Sequence, residues 1–186
     1  MKYILLSAAL VGADQWLKAW ASANLQLHGE WLPLLGQLLG LRLTHNYGAA
    51  WSSFSGQRLL LIALPVVIIA AVIYVLAKRI VRHPLGKLAC ALVLAGGVGN
   101  LIDRVFVGYV VDMLYFPFYV SYPTFNIADI CIVVGAILGS IYYLWIYEKY
   151  DMPKKEEHHG TASKLVASTF VQVANNPAGM VSMPDL

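Results

Sequence analysis

Two aspartates in apolar surroundings could carry hydrolytic chemistry: Asp112, in Tyr109-Val110-Val111-Asp112, and Asp129, in Phe125-Asn126-Ile127-Ala128-Asp129, which opens an uncharged apolar run from Ile130 to Tyr147. A carboxylate at membrane depth is costly to bury, so it marks function before it marks packing. Two of them close together at low dielectric cannot both ionise easily and should share a proton. The ionised member then takes a proton from water while the protonated one donates to a carbonyl oxygen, as amide hydrolysis requires. Taken alone, Asp129 also has a bland explanation: Asn126 at the N-cap with Asp129 three residues on is close to a capping arrangement. Asp112 has none, because it lies in an otherwise apolar stretch from Val105 to Tyr119.

The elements that must position this pair are membrane helices. Of 186 residues, 59% are hydrophobic and 12% charged, about half the charge of an ordinary soluble domain. Leu59 to Ala77 is free of charge and long enough to span a bilayer. Ile130 to Tyr147 is nearly as clean. Leu88 to Ile102 reaches full length only if Asp103 and Arg104 sit at the bilayer edge. The first candidate, Tyr3 to about Ala23, contains Asp14 and Lys18, which share one helix face and can neutralise each other. Lys2, the apolar run Ile4 to Val11 and the small residues Val11-Gly12-Ala13 also resemble a signal cleaved after Ala13, but Trp16, Leu17 and Trp20 continue the helical pattern, so an uncleaved helix is expected.

The expected fold is therefore an all-α polytopic membrane protein of four transmembrane helices. Lys78, Arg79, Arg82 and Lys87 crowd the second connection and Lys149, Lys154 and Lys155 follow the last span, which puts both termini in the cytoplasm. The loops at about 24–58 and 106–124, and both aspartates with them, then lie on the outer side. In the first of these, Leu39, Leu41 and Leu43 alternate with Gly40, Arg42 and Thr44, as in a half-buried strand of a small sheet. It leads into Asn46-Tyr47-Gly48-Ala49-Ala50-Trp51-Ser52, where Gly48 permits close backbone approach and Trp51 suits the headgroup layer. The four-helix domain covers 1–150, and 151–186 reads as a mobile polar cytoplasmic tail.

In the third span, Gly96, Gly97 and Gly99 read first as close helix packing. Asn100 and an Asp103–Arg104 ion pair at its outer end would hold neighbouring loops rigid. Cys90 and Cys131 read as small buried hydrophobes and the scattered histidines give no ligand spacing, so neither a metal nor a cofactor is expected. The net charge of +3 follows from the inside bias and implies no nucleic-acid partner. A proton-coupled transporter or channel subunit is the alternative reading, but it would spread carboxylates through the bilayer depth or show a repeat, whereas Asp103, Asp112 and Asp129 cluster near one face. A purely structural assembly protein would tolerate loss of both aspartates.

Across roughly Lys2 to Tyr147 the chain resembles the bacterial lipoprotein signal peptidases, the signal peptidase II family. Five ordered blocks carry the likeness: Asp14-Gln15-Trp16-Leu17-Lys18, Asn46 to Ser52, Gly96 to Arg104, Val110-Val111-Asp112 and Phe125 to Asp129. The resemblance implies an aspartic endopeptidase of the bacterial cytoplasmic (inner) membrane, its site facing outward, that cuts prolipoproteins just before a diacylglyceryl-modified cysteine. By the same likeness Asp112 and Asp129 match the catalytic pair. Asn46, Gly96, Asn100, Arg104, Asn126 and Ala128 match positions that line or support the substrate site, and Asp14 and Lys18 a polar pair in the first helix. It further implies a small sheet and a short interfacial helix above the membrane, contact with membrane lipids, no cofactor, and inhibition by globomycin. Trp51 stands where phenylalanine is common in the family, and the tail after about Glu148 has no clear counterpart.

Overall fold

The computed structural model describes residues 1–48, 53–54, 56–119 and 122–152. Ala49 to Ser52, including Trp51, and the tail from Pro153, including Lys154 and Lys155, lie outside the described residues.

Among the described residues four helices run in chain order: α1 Lys2–Asn24, α2 Arg58–Ala77, α3 Pro84–Phe106 and α4 Ile127–Tyr142, the last extended by a π-helical turn Tyr143–Tyr147 and a final turn Glu148–Tyr150. Three are long and apolar enough to cross a membrane, namely α2, α3 and α4 with its extension. Two of them, α3 and α4, begin at side-chain caps. Pro84, with no N–H to leave unpaired, opens α3, and the His83 Nδ1 accepts the Leu85 N–H at 3.2 Å. At the start of α4, Asn126 and Asp129 complete a reciprocal capping box.

Helix α3 packs against α1, α2 and α4. Its buried positions are almost all small: Gly86, Ala89, Ala91, Ala95, Gly96 and Gly99, which lets backbones approach closely where no hydrophobic effect drives helices together. A Cβ on Gly96 would lie 2.3 Å from the Ala128 carbonyl oxygen, so the expected packing role of this glycine is met by α4 itself. Helix α2 buries none of its residues, which suits a surface solvated by lipid.

A three-stranded antiparallel sheet, ordered β1 (Leu32–Leu35), β2 (Leu39–Asn46), β3 (Val110–Tyr115), covers one end of the bundle. The strand foreseen around Leu41 is β2. Its inward face carries Leu43, which joins Val111, Met113, Leu114 and Ala21 of α1 in the core beneath the sheet. No separate short helix occurs between the named elements among the described residues. Leu114 then bridges back to Phe125, with bonds of 2.8 Å and 3.0 Å in the two directions. That bridge brings the residue before the α4 cap alongside β3, and so fixes where the two aspartates meet.

Candidate active site

Asn126 is where the site is assembled. It is fully buried at the N-cap of α4. Its side-chain Nδ2 donates to Asp112 Oδ1 at 2.7 Å, its Oδ1 accepts the Asp129 N–H at 2.8 Å, and its own N–H donates to Asp129 Oδ2 at 3.2 Å. Asn100 on α3 completes the tie, donating from Nδ2 to Asp129 Oδ1 at 2.7 Å and accepting from Asn126 Nδ2 at 3.0 Å. Asn46, at the end of β2, hydrogen-bonds the Asp112 carboxyl and accepts the Gly48 N–H at 2.9 Å.

Asp112 is 1% exposed. Burial, and then the nearby Asp129 charge, push its carboxyl up to about 7, against the opposing hydrogen bonds from Asn46 and Asn126. Asp129 is only partly buried, so one carboxyl is sheltered and proton-retaining while the other has access to water.

Behind the pair stands an ionic network rooted in α1. Lys18 Nζ lies 2.8 Å from Asp14 Oδ2 and 2.9 Å from Asp103 Oδ2, and donates to Asn100 Oδ1 at 3.0 Å. Asp14 also accepts the Ala128 N–H at 2.9 Å, and Asp103 accepts the Val111 N–H at 3.0 Å. One buried cation thus fixes the residues flanking both aspartates. The suggested Asp103–Arg104 ion pair is replaced: Asp103 pairs with Lys18, while Arg104 donates to the Gly48 carbonyl at 3.0 Å. Adjacent residues on a helix point to different sides, which is why the two do not meet.

Of the residues expected at the site, Asp14, Lys18, Asn46, Asn100, Asp103, Asp112, Asn126, Ala128 and Asp129 fall in this connected set. Gly96 supports it through the Ala128 backbone, and Arg104 and Gly48 lie at its edge. Sequence reasoning passed over Gln15, whose Nε2 donates to Asp103 Oδ1 at 3.0 Å and to the Gly99 carbonyl at 3.1 Å. Its signal was present, since Asp14, Gln15 and Lys18 form one polar interruption in an apolar helix. Also passed over was the Thr44–Thr124 hydroxyl contact beside Asp112, although β2 alternation puts Thr44 and Asn46 on one face.

Asn46 lines two clefts. One, of about 120 Å³, lies against Tyr47, Arg58, Leu61 and Arg104 at the ends of α2 and α3. The other, of about 320 Å³, runs over the sheet and includes Asp112, Arg42 and Thr44.

Residues 6–145 match the family model for signal peptidase (SPase) II. The chain is 41% identical to a lipoprotein signal peptidase of Enterococcus faecalis, over 86% of this chain and 95% of that one. It is 37% identical to one of Clostridium acetobutylicum, over 80% and 97%. In three dimensions it resembles a bacterial membrane enzyme solved in meso at 2.3 Å, with a TM-score of 0.72 and 28% identity, covering 83% of this chain and 93% of that one. With the match extending from α1 through the aspartate pair into the last helix, the chain belongs to the signal peptidase II family.

Proposed function

We propose that this protein is the aspartic endopeptidase that removes signal peptides from prolipoproteins, with Asp112 and Asp129 as its catalytic pair. The observation that carries the reading is Asn126, a buried residue whose side-chain amide donates to the Asp112 carboxyl and whose backbone N–H donates to the Asp129 carboxyl, with Asp112 lining the larger groove. The relatives are lipoprotein signal peptidases, and the buried carboxyl at about 7 beside a more exposed one is the proton arrangement amide hydrolysis needs.

In this mechanism Asp129 takes a proton from water as the oxygen adds to the scissile carbonyl carbon, and Asp112 gives its proton to the carbonyl oxygen. Asp112 then recovers a proton from the resulting gem-diol while Asp129 passes its own to the departing amine, so the C–N bond breaks and both carboxyls return to their starting states. Four crossings with both termini in the cytoplasm set this site on the extracytoplasmic side, where a diacylglyceryl-modified cysteine holds its peptide bond near the bilayer surface. The acyl chains supply affinity and the asparagines supply orientation.

The test uses the purified protein in detergent with a diacylglyceryl-modified precursor and its unmodified twin, each with and without globomycin. Only the modified precursor should be cut, and globomycin should stop it. Asp112→Asn and Asp129→Asn should each remain folded and lose about 10³-fold or more in rate, the range of a lost general acid or base. Full activity in either variant removes that residue from the mechanism.

A further inference from the structure

The larger groove carries a charge that the catalytic cycle does not use. In the β2–β3 register Thr44 stands opposite Asp112, and Arg42 lies two residues further along β2, where the register shifts between Leu41 and Thr44, and lines the same groove as both. The Arg42 guanidinium sits over the Tyr115 ring at 5.7 Å. Its Nε is buried with no acceptor, and neither ion pair among the described residues includes it. A shielded N–H donor without an acceptor is costly unless something arriving in the groove supplies one. His28 and His45 line the same groove, where burial and then the nearby His28 hold His45 toward its neutral form, so the guanidinium of Arg42 is the standing charge there, while the carboxyl in the lining, Asp112, holds its proton up to about 7.

Which part of a substrate passes here follows from the two clefts that share Asn46. The smaller one, beside Arg58 and Leu61 at the ends of membrane-length helices, suits the lipid-bearing and membrane-embedded side of the scissile bond. The larger leads away over the sheet, the route left to the polypeptide beyond the cysteine. At about 3.3 Å per extended residue, Arg42 stands level with the second or third residue after the cut.

We propose that the Arg42 groove is a specificity site that selects an acidic side chain at the second or third residue of the mature segment, pairing that carboxylate with the guanidinium. This rests on the peptidase reading above and adds to it a preference in charge. A planar guanidinium braced on an aromatic ring is already oriented for a bidentate carboxylate, so little side-chain entropy is lost on pairing.

The experiment compares diacylglyceryl-modified precursor peptides that differ only at those two positions, carrying Asp, Asn or Lys, cleaved by the full-length protein in detergent at low and moderate salt. The Asp peptide should exceed the Lys peptide in kcat/KM by about tenfold or more, chiefly through KM, and the gap should narrow as salt rises. Arg42→Gln should bring the ratio to within about twofold, Arg42→Lys should restore part of it, and Arg42→Glu should invert it. Equal cleavage of the Asp and Lys peptides by the unaltered protein overturns the charge preference and leaves the peptidase standing. If no modified peptide is cut at all, the peptidase reading fails and this one falls with it.

Discussion

At Asp112 function and stability oppose one another in a measurable way. Its carboxyl ordinarily titrates near 3.8 and in the fold near 7, so the folded protein binds a proton that the unfolded chain has already released between those values. Stability therefore declines as pH rises through that window and is flat on either side of it. The displacement corresponds to about 4 kcal/mol. Asparagine keeps an acceptor for the Asn126 amide and never ionises. Asp112→Asn should accordingly raise the thermal midpoint in detergent at pH 8, and that gain should vanish below about pH 4. An unchanged midpoint at pH 8 would mean that Asp112 is not held against ionisation, and the proton assignment in the mechanism would have to be reversed. Lys18 is the opposite case. Its ammonium is bonded to Asp14, Asp103 and Asn100 together, and Lys18→Met would leave two buried carboxylates uncompensated at a cost of about 3–5 kcal/mol, readable as a large loss of folded protein on heating.

Among the elements, the α3–α4 contact has the least tolerance. Gly96 admits the Ala128 carbonyl where any side chain would stand, at 2.3 Å from a built Cβ, and Ala128 immediately precedes Asp129. Gly96→Ala must therefore push the start of α4 outward. Because catalytic geometry tolerates little displacement, activity should fall by about 10²-fold, a greater loss than for Gly97→Ala, whose Cβ meets only the Ile69 side chain at 3.2 Å. Equal activities in the two variants would show that α4 is not registered through this contact. At the opposite end of α4, the π-helical turn re-aims the chain so that Asp151, at the foot of the expected tail, turns inward. Its Oδ2 accepts from Tyr142 at 2.5 Å and from the Arg82 and His83 N–H groups at 3.0 Å each, clasping the α2–α3 connection. Asp151→Ala should lower stability by about 2 kcal/mol through the unpaired N–H groups while leaving the aspartate pair intact, so kcat at low temperature should hold.

Over the whole molecule, the sequence disclosed what apolar composition and misplaced charge disclose. The uncharged runs gave α2 and α4, the Asp14–Lys18 spacing gave the neutralised face of α1, and two carboxyls in apolar stretches gave the pair that Asn126 joins. It concealed β3, because every residue from Val110 to Tyr115 is buried and a strand covered on both faces has no alternation to reveal it. It concealed β1, a four-residue edge strand containing Pro33 and exposed throughout. Nor could it show that a capping asparagine reaches a strand as well as its own helix, since that depends on the Leu114–Phe125 bridge. Topology is the remaining whole-molecule claim and it has a direct test. On the proposed topology four crossings return the chain to its starting side, and the cations at Lys78, Arg79, Arg82 and Lys87 assign that side to the cytoplasm. In a variant with Cys90→Ala and Cys131→Ala, a cysteine placed by Leu34→Cys on the exposed β1 should react with a membrane-impermeant maleimide in intact cells or spheroplasts. One placed by Lys78→Cys should react only after permeabilisation. The reverse pattern would turn the aspartates toward the cytoplasm, where no exported prolipoprotein segment could reach them, and would remove the reason for a lipid-anchored substrate.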